Sequence, residues 1–147
     1  MKKYINRIEF NSKEEVITFV ELIDFAEREV YKSMRKTLNV DSRFILQSEL
    51  SDEIETYTIL KRLYESVVGW NYSVEDADFY NIDVVDVEIK NPKEARLLCI
   101  YVKMLINCIN SGYFESIYCE EINDLKEVVR YLESINSKLE RIYLLNQ

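Results

Sequence analysis

The side chains with most to offer chemically are six carboxylates crowded into residues 71 to 90: Glu75, Asp76, Asp78, Asp83, Asp86 and Glu88, against the single base Lys90. This gives the stretch a local charge of −5 in a chain whose formal net charge is −8. Carboxylate oxygens are the ligands that hard cations such as Mg²⁺ and Ca²⁺ prefer, but the stretch lacks the central glycine and terminal glutamate register of an EF-hand loop. No metal site is assigned, and a solvated acidic segment is the expectation. Aromatic rings interleave with these acids at Trp70, Tyr72, Phe79 and Tyr80. Exposed rings anchor protein interfaces, and surrounding charge steers an oppositely charged partner. Trp70, Tyr72, Glu75, Asp76, Asp78, Tyr80, Asp83, Asp86 and Glu88 are therefore the candidate partner-binding set. The competing reading places Trp70 and Phe79 in the core, over helix ends.

Histidine is missing from all 147 residues. That removes the commonest general base, the Ser-His and Cys-His nucleophile pairs and the commonest transition-metal ligand. With only two glycines, neither GxGxxG nor GxxxxGK[ST] can be built, so those routes to a bound nucleotide are closed. Cys99, Cys108 and Cys119 show no metal-ligand spacing and, being odd in number, no disulfide framework. They read as small apolar residues in a reducing compartment. No catalytic residue, cofactor or metal is expected.

Net acidity, with a pI near 4.7, argues against direct nucleic-acid binding. The N-terminus is basic but precedes no apolar stretch of signal-peptide length, and no uncharged apolar run reaches 18 residues. A cytoplasmic protein with no membrane association is expected. At this length, with 48% hydrophobic residues and one proline, residues 1–147 are expected to form one domain of few, long elements.

Those elements read as mostly α, an α+β chain of about four to five helices with a two- or three-stranded β element. Residues 3 to 10 alternate into a short strand. Ser12 and Glu15 then form a capping-box pattern opening a helix to about Leu38, with Val16, Phe19, Val20, Ile23, Ala26, Val30 and Met34 on its apolar face. A break at residues 39 to 42 precedes a short helix containing Phe44, Ile45, Leu46 and Leu50, and Ser51-Asp52-Glu53 caps a second one ending near Gly69. Ile82 to Ile89 reads as a strand carrying Val85, Val87 and Ile89 on one face and Asp86 and Glu88 on the other, suited to pairing with residues 3 to 10. Asn91-Pro92 starts a helix that is apolar around most of its circumference and is expected to be buried, ending at Asn110-Ser111-Gly112. Residues 113 to 120 fit a third strand or a helical turn. In the last helix Leu125, Val128, Leu132, Ile135, Leu139 and Ile142 make a heptad seam, which suits antiparallel packing against the first helix within one bundle, or self-association.

The expected function is that of a non-enzymatic regulator or inhibitor, using its acidic-aromatic surface on a basic protein partner. One alternative is an assembly subunit that oligomerises through the heptad seam. Another is a carboxylate-dependent metal enzyme or small-ligand binder. A small, acidic, tyrosine-rich, histidine-free helical chain shares its general look with immunity proteins, phage inhibitors of host defence and secretion chaperones, with no motif tying it to any of them.

Overall fold

In the computed structural model, residues 6–39, 47–68, 86–112 and 122–145 are described, and these are mostly helical. The elements run β1 (Arg7–Glu9), α1 (Lys13–Asn39), α2 (Gln47–Val68), β2 (Asp86–Glu88), α3 (Pro92–Asn110) and α4 (Ile122–Leu145). The chain divides into two compact units, one of Met1–Leu22 with Asp78–Gln147 and the other of Ile23–Ala77.

In the first unit β1 and β2 pair, as the sequence suggests, and the structure sets them antiparallel with Ile8 opposite Val87. Both side chains are buried, while the flanking pairs Arg7 with Glu88 and Glu9 with Asp86 face outward. Ile89 N–H donates to the Asn6 carbonyl at 2.6 Å and prolongs the pairing. Phe10 stacks at a tilt on Phe19, ring centroids 5.2 Å apart, where the chain turns from β1 into α1. Ser12 caps that helix by accepting the Glu15 N–H at 3.2 Å.

The other helix start behaves as its sequence requires. Pro92 occupies the first turn, and Asn91 accepts the Glu94 N–H at 3.0 Å while the Glu94 carboxylate accepts the Lys90 N–H at 2.9 Å. Glu94 is buried at 4% exposure because its charge is spent on this backbone donor at the positive end of the helix dipole. At the far end Ser111 and Gly112 return their N–H groups to Asn107 and Ile109, and Gly112 takes the left-handed backbone (φ 76°) that glycine adopts without a Cβ clash.

The seam of α4 lies inside the chain. Val128, Leu132, Ile135, Leu139 and Ile142 are all buried, but α4 packs chiefly against α3, not against α1 as expected, and the buried Ala95, Leu98, Val102 and Leu105 of α3 give that helix the apolar face it needs. Two other expectations are corrected. The helix α3 is not covered all round: Ile100 and Met104, one turn apart, are 49% and 37% exposed. One packed face is enough to hold a helix, and apolar side chains beyond it stay at the surface. The helix α2 runs unbroken through Ser51-Asp52-Glu53, because these residues fall in its first two turns, where carboxylates favour the helix N-terminal dipole. Residues 44 to 46 and 113 to 120 lie outside the described residues.

In the second unit the apolar face of α1 continues through Ile23, Ala26 and Val30, and α2 contributes Leu60, Leu63 and Val67, all buried.

Replacing Asn91 by Ala strands the Glu94 N–H, and urea unfolding should show a loss of about 1 kcal/mol, with Asn91→Asp retaining most of it.

Candidate functional site

Of the nine candidate partner-binding residues, Trp70, Tyr72, Glu75, Asp76, Asp78, Tyr80 and Asp83 lie outside the described residues. Asp86 and Glu88 are placed, and the strand pairing sets them beside a cation. With Ile8 and Val87 inward, register turns Arg7, Asp86 and Glu88 to the same outer face. Arg7 Nη2 donates to Asp86 Oδ1 at 2.5 Å, and its Nη1 lies 3.5 Å from Glu88 Oε2. The hydrogen bond from Arg7 holds the Asp86 carboxyl below its ordinary value, with the guanidinium charge adding to the effect. Both acids keep solvent contact, their side chains 33% and 50% exposed. The C-terminal end of the acidic segment is thus tied to the fold and partly neutralised, while Glu88 remains half-open to water.

A buried carboxylate was hidden from a reading of local sequence. Glu15, whose N–H meets the Ser12 cap, turns its side chain toward α4, where Lys138 donates to Glu15 Oε1 and also to the Glu9 carbonyl at 2.7 Å. Ser134 Oγ donates to Glu15 Oε2 at 3.4 Å. The Glu15 side chain is 3% exposed and that of Lys138 25%. One ammonium therefore joins the end of β1, the first turn of α1 and the middle of α4. Its partners are an occupied ion pair and a backbone carbonyl, an arrangement that holds structure together.

The cysteines follow their apolar reading as far as they are described. Cys99 is buried, and burial pushes its thiol up to about 11, with Glu140 adding to the rise. A thiol so protonated is a poor nucleophile. Cys108 is half-buried, and Cys119 lies outside the described residues. Among the described residues no group of three or more Cys, Asp or Glu side chains is arranged to hold a metal ion.

The second unit carries a surface of opposite sign. A groove of about 450 Å³ between α1 and α2 is lined by Arg28, Tyr31, Lys32, Arg35 and Tyr57, with Asp24 and Glu27 toward one end. Its sequence signal is the row Arg28, Lys32, Arg35 and Lys36, four bases against Glu29 within nine residues, at the spacing of one helix face. The overall acidity of the chain masks it. Burial raises the Glu27 carboxyl, opposed by Lys61 and reinforced by Asp24 and Glu65.

No protein-family model, curated protein or solved structure matches this chain. Among the described residues no helix is long and apolar enough to cross a membrane.

Because the folded value of Asp86 lies below the unfolded one, its contribution to stability is complete above the ordinary carboxylate range. It is lost as pH falls through the depressed value. In an NMR titration the Asp86 carboxyl should move up to the ordinary range in Arg7→Gln. Under native conditions at pH 8, iodoacetamide should alkylate Cys108 at least tenfold faster than Cys99, as mapped by mass spectrometry.

Proposed function

We propose that this protein is a non-enzymatic regulator or inhibitor that binds a basic protein partner through its acidic-aromatic segment, residues 70 to 88, in the manner of immunity or anti-defence proteins of the cytoplasm. The observation that carries the reading is the anchoring of that segment. Its last acids, Asp86 and Glu88, stand on the outer face of a strand fixed by Ile8–Val87 pairing and by Arg7, and both keep contact with water. Pre-organised charge raises association rates and reduces the ordering cost of binding. Absence of histidine and the protonated, buried Cys99 thiol fit a role that needs no nucleophile or general base.

Self-assembly through the α4 seam draws little support, since the seam side chains are buried against α3. A carboxylate-dependent activity would have to draw on acids other than Glu15 and Glu94, which are committed to Lys138 and to the Lys90 backbone.

The test is affinity capture from the native host at low and moderate salt, followed by binding measurements on the partner so identified. Asp76, Asp78 and Asp83 changed together to Asn, with Asp86 and its Arg7 contact intact, should weaken binding at least tenfold and flatten its salt dependence. Unchanged affinity and an unchanged salt slope would end the proposal.

A further inference from the structure

The groove of the second unit is lined by three cations against two carboxylates. Along α1 the cations change character. Arg28 is held by Asp24, and Lys32 lies 3.3 Å from Glu29, but Arg35 and Lys36 make no ion pair with a described residue. Tyr31, beside them, is 57% exposed, and Tyr57 faces it from α2 in a half-buried position. An open cationic end with two rings at hand, in a protein of net charge −8, is a local reversal that solubility does not require.

We propose that this groove docks a short acidic segment of a protein partner, with Arg35 taking a carboxylate and Tyr31 and Tyr57 packing on the chain beside it. Charge complementarity selects the occupant. Guanidinium groups bind carboxylates in a two-pronged fashion, and tyrosine rings give contact area at low entropic cost. From Arg28 to Arg35 the helix advances about 10 Å, the span of roughly three extended residues. A continuous polyphosphate or nucleic-acid strand fits less well, because along the same path it meets Asp24 and Glu27, and the Glu27 carboxyl is already crowded by Asp24 and Glu65. A peptide can place carboxylates at the Arg35 end and an uncharged or basic residue at the Asp24 end. The assignment uses none of residues 70 to 88 and does not rest on the function proposed for them.

Isotope-labelled full-length protein titrated with the peptide acetyl-Lys-Ala-Tyr-Asp-Glu-amide tests the assignment. Saturable NMR shifts are expected at Tyr31, Lys32, Arg35 and Tyr57, with a Kd that rises at least fivefold between 50 and 300 mM NaCl. Arg35→Glu should weaken binding at least tenfold and Arg35→Gln severalfold, both with unchanged circular dichroism, while Tyr31→Ser should weaken it with the salt dependence retained. Shifts scattered outside the groove would overturn the proposal. So would equal binding of the Asn-Gln version of the peptide, or polyphosphate saturating the groove where the peptide does not.

Discussion

Three elements distant in sequence are held together by one ammonium group. Lys138 reaches from the middle of α4 to the carboxylate of Glu15 in the first turn of α1 and to the backbone carbonyl of Glu9 at the end of β1. A carboxylate at 3% exposure is costly without a cation, and here its second oxygen also accepts from Ser134. The surrounding apolar contacts of Ile8, Phe19, Leu132 and Ile135 supply burial, which is non-directional. The ion pair adds direction. It fixes which turn of α4 meets the start of α1, and through Glu9 it holds the strand whose outer face carries Arg7 opposite Asp86 and Glu88. The position of the anchored acids is therefore tied to a contact made from α4.

Much of this framework could be read from local pattern because local chemistry decides it. Asn91-Pro92 with Glu94, and Ser12 before an apolar period, each name a helix start whose orphan donors they satisfy. Alternation in residues 3 to 10 and 82 to 89 gives each stretch two faces, while the antiparallel direction and the register that sets Ile8 opposite Val87 come from the structure. The heptad steps of α4 from Val128 to Ile142 identify side chains that are buried, but the helix they pack against is chiefly α3 and not α1, because a seam names its own face and not the face opposite.

What escaped the sequence depends on non-local partners. Glu15 fits a capping box as well as it fits a buried ion pair, and nothing near it announces Lys138, 123 positions away. Apolar residues around α3 suggested burial on every side, but Ile100 and Met104 remain at the surface because α4 occupies one face only. Ser51-Asp52-Glu53 resembles a cap and serves equally well early in a helix already begun at Gln47. Of the candidate site, Asp86 and Glu88 were placed correctly by alternation, while their neutralisation by Arg7 required knowledge of register. The cationic groove was obscured because net charge averages over surfaces of opposite sign.

A double-mutant cycle in urea on Glu15→Gln and Lys138→Met tests the dependence of the fold on this ion pair most directly. The single change Lys138→Met should cost about 3 kcal/mol, since it strands a buried carboxylate, and Glu15→Gln less, because Lys138 keeps some solvent access. The double variant should recover part of the loss, with a coupling of at least about 1 kcal/mol, and hydrogen exchange should show β1 loosening first in Lys138→Met. Additive effects, or a Lys138→Met cost below about 0.5 kcal/mol, would show that apolar packing alone sets the arrangement.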